Sequence, residues 1–187
     1  MKKRTKLLAL LAAGTLAVAG CGADDGSGES ASKAGGNGTD RAFVAEMIPH
    51  HQSAVEMAEI ALKRGESPFV KGLAEDIVRT QKAEIQTLRR EDAQLAEAGV
   101  KKGALGVPAH MMGMSEDTAQ LKTVTPFDDP FIKMMVPHHK GAIEMAKVEL
   151  AKGSDPELKA LAQEIIDAQQ REIEEMTENL KESGASA

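Results

Sequence analysis

The chain has 187 residues, 28% of them charged, with 23 basic against 29 acidic side chains, one cysteine, and neither Trp nor Tyr. A net charge of −6 and the lack of aromatic stacking platforms argue against nucleic acid as a partner. A single cysteine rules out an intrachain disulfide, so the core must hold by burial alone.

The first stretch reads as a leader. MKKRTK is a basic n-region, and LLALLAAGTLAVAG is an apolar h-region too short for a stable membrane span. It ends in VAGC, where small residues precede Cys21 as in a bacterial lipobox. Residues 1–20 are therefore expected to be a lipoprotein signal peptide. Cys21 would carry the lipid, and the membrane would be a partner on the extracytoplasmic side of the cell envelope. Loss of Lys2, Lys3, Arg4 and Lys6 takes the basic count from 23 to 19 against 29 acids, a net charge of −10. Residues 21–39 are Gly/Ser-rich and aperiodic, a flexible tether reaching roughly 20–25 Å.

The folded part is expected over 40–187, with helices at 40–64, 67–98, 129–152 and 155–182. Thr39 or Asp40 can cap the first, and Asp128 or Asp129 the third. Gly65 and Gly153 stand where a helix end favours positive φ. Ser67-Pro68 and Asp155-Pro156 follow, each a polar N-cap with proline at the first helical position.

The second half of this pattern repeats the first. Phe43–Leu88 aligns without a gap on Phe131–Met176, a shift of 88 residues, with 19 identities in 46 positions. Repeats at about 40–98 and 128–182 predict two helical hairpins related by a pseudo-two-fold and joined by a long crossover. The fold class is then all-α, a ferritin-like four-helix bundle.

Within each repeat lies MIPHHQSAVEMA or MVPHHKGAIEMA. On a wheel of ~3.6 residues per turn, His50 and His51 straddle the centre of the apolar face set by Met47, Ala54 and Ala58. Glu56 falls on the opposite, solvent side. Pro49 and Pro137 sit inside their helices and are expected to kink them, re-aiming the His pairs. On the second helix Gln81 and Glu84 share the apolar face with Ile77 and Leu88. Folding each hairpin about its turn sets Gln81 level with His51, Glu84 near Ile48, and Gln169 level with His139. Glu172 is the counterpart of Glu84. Such groups, buried unpaired, would each cost several kcal/mol, so they must satisfy one another or a bound ligand.

A third cluster, His110, Met111, Met112 and Met114, lies in the crossover, before a short helix capped by Ser115. All five histidines of the chain lie in this loop or in the two motifs, and seven methionines accompany them.

FVAEMIPHHQSAVEMAEIAL and FDDPFIKMMVPHHKGAIEMA resemble the signature of the domain of unknown function 305 family, over the chain from about Asp40 onward. The resemblance implies a ferritin-like bundle in a bacterial secreted protein or lipoprotein, with copper binding and tolerance among its associations. It implies Met47, His50, His51, Met57, Met135, His138, His139 and Met145 as metal ligands, with His110, Met111, Met112 and Met114 as a loop site. The residues support this separately, since thioether and imidazole are soft donors suited to copper. The expected role is copper buffering, tolerance or delivery rather than catalysis, with other envelope copper proteins as partners. Gln81, Glu84, Gln169 and Glu172 would form the outer ring of the site. Two alternatives stand beside this: a carboxylate–histidine centre for iron or zinc using Glu84 and Glu172, and a metal-free interaction module with a buried His/Gln/Glu network.

Overall fold

Four long amphipathic segments, each with a polar stop before it, fold as four helices. The computed structural model of the protein describes residues 35–114 and 118–184. The expected signal peptide, Cys21 and most of the tether lie outside the described residues, as does Ser115. The helices are α1 (Gly38–Arg64), α2 (Pro68–Glu97), α3 (Asp128–Lys152) and α4 (Pro156–Glu182). Short 3₁₀ turns occupy Ala109–Met111 and Thr118–Lys122 in the crossover. No strand occurs among the described residues, and none of their helices is long and apolar enough to cross a membrane. The fold is the all-α four-helix bundle that the repeat predicts.

The helix starts follow the chemistry of their caps. Ser67 accepts from the Val70 amide, and Asp155 from the amides of Glu157 and Leu158, each followed by proline. The α1 cap is Asn37, which forms a capping box with Asp40, rather than Thr39 or Asp40 itself. At α3 neither Asp128 nor Asp129 caps; Phe127 holds that position with no side-chain bond. Gly65 and Gly153 end their helices at φ −53° and −66°, so positive φ is not their reason. Space is: a Cβ on Gly153 would stand 2.1 Å from Oε1 of Glu149, and one on Gly65 2.7 Å from the Ala61 carbonyl oxygen. Pro49 and Pro137 lie well inside α1 and α3, so neither helix begins at its proline.

Within each hairpin α1 packs on α2 and α3 on α4; between the hairpins α1 packs on α3, and α2 on α4 along a narrower seam. Two apolar clusters fill the interior. One gathers Met57, Met135, Phe127, Phe131 and Met176; the other gathers Met47, Met145, Phe43, Leu88 and Leu95. Met57 of α1 therefore shares a cluster with Met135 of α3, and Met47 with Met145. Equivalent positions are exchanged across the centre, as an antiparallel α1–α3 pair about a two-fold requires.

Reciprocal contacts at the two ends tie the repeats together. Oδ1 of Asp40 accepts from the amides of Ser154 and Asp155 at 3.0 and 2.9 Å. Asp128, 88 residues on, accepts from the amides of Glu66 and Ser67, both at 2.8 Å. Asn37 donates to the Lys152 carbonyl at 2.8 Å. Arg64 donates to the carbonyls of Leu121 and Val124 at 2.5 and 2.6 Å and lies over the Phe127 ring. Each repeat thus closes the other's hairpin turn with a carboxylate.

One of these clasps holds a buried proton. Asp40 and Glu149 are both fully buried, and neither oxygen of Glu149 has a hydrogen-bond donor when both carboxyls are ionised. Burial pushes Glu149 up from 4.5 to about 8, helped by its hydrogen bond to Asp40 and the charges of Asp40 and Asp155. Burial also pushes Asp40 upward, but bonds from Glu149 and from the amides of Asn37, Asp155 and Ser154 outweigh it and hold Asp40 below its usual value. Glu149 is therefore the proton carrier and Asp40 the acceptor.

The native state holds this proton where the unfolded chain releases it. The stabilisation is complete below the unfolded value of 4.5 and is lost as pH rises toward about 8. The urea midpoint should fall between about pH 5 and pH 8. Glu149→Gln, which keeps a donor toward Asp40 without a charge, should flatten that dependence. A variant with the wild-type slope would show that another group is responsible.

Candidate metal centre

The two His-His motifs meet where α1 crosses α3. In chain order they fall between the two apolar clusters, and small residues flank them: Ala54 and Ala58 on α1, Gly141, Ala142 and Ala146 on α3, all buried. These let the helices approach closely enough for imidazoles to touch. The ring centroids of His50 and His138 are 3.8 Å apart with a 38° tilt. These two residues are equivalent in the repeat, so their contact lies at the pseudo-two-fold. His50, His51, His138 and His139 are 1%, 0%, 2% and 0% exposed, which makes this an interior site.

The outer pair of histidines each meets a carboxylate from its own hairpin. Nε2 of His139 donates to Oε2 of Glu172 at 2.6 Å. Nε2 of His51 and Oε2 of Glu84 approach to 2.8 Å, but out of line for a hydrogen bond, and both atoms lack a partner. The recorded polar contact of His51 and of His139 is thus a glutamate one turn farther along than the level of Gln81 and Gln169. Gln81 and Gln169 are 2% and 3% exposed, and Oε1 of each is unpartnered.

The inner pair differs between repeats. Nε2 of His50 bonds to the Met112 carbonyl at 2.8 Å, while both ring nitrogens of His138 are buried without a partner. Burial pushes His50 down to about 3, with further lowering from the charges of His51 and His139 outweighing the Met112 bond. Burial and the other three imidazoles hold His138 well below its usual value. Both rings are therefore neutral and keep a lone pair at neutral pH. Nδ1 is unpartnered in all four histidines.

Met47, Met57, Met135 and Met145 are all essentially buried. The crossover methionines are not: Met111 and Met114 are 44% and 45% exposed, with His110 also exposed and Met112 half-buried against the second cluster. His110, Met111 and Met114 are thus exposed, while Met112 packs on the cluster that holds Met47 and Met145 and its carbonyl meets His50. Glu56 faces solvent, as its position on the wheel requires. No group of three or more His, Cys, Asp or Glu side chains among the described residues has the geometry to hold a metal ion. What the core offers is neutral imidazoles with free nitrogens and, along the same helices, buried thioethers. These donors fit a soft cation better than a hard one.

The model of the domain of unknown function family DUF305 matches residues 26–92 and 40–180. The chain belongs to the DUF305 family. Among solved structures it is similar to CopM in its Cu(II)-bound form, at 34% identity and a TM-score of 0.66, covering 76% of this chain and 96% of that one. CopM has also been solved in Cu(I)-bound and silver-bound forms. A DUF305 protein from Streptomyces coelicolor, assigned as a secreted protein, matches at 29% identity and a TM-score of 0.69, over 80% of this chain and 94% of that one. The uncharacterized protein L153 of Acanthamoeba polyphaga mimivirus is 44% identical over 55 residues, 29% of this chain and 36% of that relative's length.

Two buried ring nitrogens without a partner cost stability that an apolar side chain would not. His138→Leu should therefore raise the urea midpoint of the metal-free protein, by about 1–3 kcal/mol of stability. A destabilised variant would mean that His138 supports the core as it stands.

Proposed function

We propose that this DUF305 protein is an extracytoplasmic lipoprotein, anchored at Cys21, that binds copper in the core of its bundle and buffers it or passes it to other envelope copper proteins. The observation that carries this reading is the set of buried, unpartnered imidazole nitrogens of His50, His51, His138 and His139, with buried thioethers along the same helices. The core spends free energy on holding them, and a soft cation would recover it. The similarity to CopM, solved with Cu(I), Cu(II) and silver, supports the same reading.

The ligands proposed are the four histidines with Met47, Met57, Met135 and Met145. Glu84 and Glu172 act through His51 and His139, since a carboxylate on the far ring nitrogen orients the imidazole and raises its basicity. His110 with Met111, Met112 and Met114 forms an exposed, weaker loading or transfer site.

Competition against a coloured Cu(I) chelator tests this on the protein lacking its leader. His50→Ala with His138→Ala should lower Cu(I) affinity by at least about 100-fold, as loss of ligands does where even outer partners cost 10–100-fold. Replacing the four core methionines by leucine conserves volume and should cost less than about 1.5 kcal/mol of stability. It should weaken Cu(I) more than Cu(II), because the thioether is the soft donor. Unchanged affinity in the histidine variant would remove the core site from the account.

A further inference from the structure

The crossover is strapped onto the histidine centre at one point, and two glycines make that approach possible. A Cβ on Gly141 would stand 2.1 Å from the Met112 carbonyl oxygen and 2.2 Å from its carbon. Gly113, at φ +68°, is pressed from the other side: its Cβ would stand 2.3 Å from the Pro137 oxygen and 2.6 Å from Cα of His138. The strap is held down by Leu105, which is buried, and by Val107 and Met112, which pack on the second apolar cluster. Its Met112 carbonyl then reaches His50 across the α1–α3 seam.

A carbonyl oxygen only accepts, so Nε2 of His50 carries the hydrogen of this bond. In a neutral imidazole the other nitrogen then keeps its lone pair. That atom, Nδ1 of His50, is buried and unpartnered. On the far side His139 has the same arrangement, with Nε2 donating to Glu172 and Nδ1 free. The repeat explains why a backbone carbonyl serves at His50. The position equivalent to Gly141 is Ser53, and a chain with one crossover can strap only one side.

We propose that the strap 108–114 is a positioning element of the metal centre, in which Gly141 and Gly113 admit the Met112 carbonyl that fixes His50 with Nδ1 as its ligand atom. The inference rests on the reading of the core as a copper site and adds to it the ligand atom and what selects it. Gly141 and Gly113 are positioning residues, since neither touches the metal in this account.

Nitrogen-15 imidazole shifts of the metal-free protein read the tautomer directly, and chelator competition reads the consequence. In the wild type His50 should be the Nε2–H form. Gly141→Ala and Gly113→Ala should each lift the strap, turn His50 into a mixture of tautomers, and lower Cu(I) affinity about 10–100-fold, the usual loss when an outer partner of a metal ligand is removed. The His139 shifts should stay as in the wild type. Gly113 lies in the loop rather than in a helix, so its variant carries the test if Gly141→Ala does not fold. An Nδ1–H form of His50 in the wild type would overturn the proposal. So would a displaced strap with unchanged shifts and affinity. If the wild type binds no copper, the copper reading fails, while the metal-free spectrum still decides what the strap does to His50.

Discussion

The contact between His50 and His138 constrains everything around it. Two neutral rings 3.8 Å apart at the meeting point of two helices call for small residues on the turns that follow them. Ala54, Ala58, Ala142 and Ala146 meet that demand, and the bulky side chains are displaced above and below it into two separate clusters. A bundle selected for stability alone would fill this level with leucine. Here its interior carries four imidazoles, each with Nδ1 left without a partner. Buried polar groups left in that state are rare and call for a reason, and the donor chemistry supplies one.

Stability is recovered at the ends of the bundle. Asp40 and Asp128 each take two amides from the opposite repeat's turn, and Arg64 closes the return of the crossover. Charge-assisted bonds of this kind are stronger than neutral ones, and by reaching between hairpins they hold α1 against α3. The halves are not identical. Glu149 has Ala61 as its counterpart, so only the Asp40 clasp carries a trapped proton, and Arg64 has Lys152. Such differences are where a duplicated fold acquires sidedness.

Much of this was legible in the residues, and the misses share a cause. The 88-residue repeat, the helical spacing of apolar positions and the Ser67-Pro68 and Asp155-Pro156 starts are local signals, and they located all four helices. The wheel put the four histidines inside because two adjacent residues can straddle a face only when that face is buried. What failed depended on partners distant in sequence. Asp40 and Asp128 look like caps for the helices they begin, yet they serve turns 114 and 61 residues away. Gly65 and Gly153 look like helix-end glycines, yet it is crowding that requires them. Counting residues from the turn set Gln81 level with His51 and did not foresee Glu84, one turn on, at 2.8 Å from that histidine.

The asymmetry of the inner histidines follows from connectivity. A two-fold pair of hairpins in one chain needs a single connection between them, and that connection must cross one face of the bundle and not the other. Whatever it does to one repeat it cannot do to its mate. Here it passes over α3 at Pro137–Gly141 and satisfies His50, and His138 is left with both nitrogens open. Two positions that the duplication made equal are therefore chemically distinct: one ring with a single available nitrogen in a fixed orientation, the other free to offer either. An unlinked dimer of hairpins would have two equivalent halves at this site. Joining them through a strap leaves one ring held in a fixed orientation and its mate free to adapt.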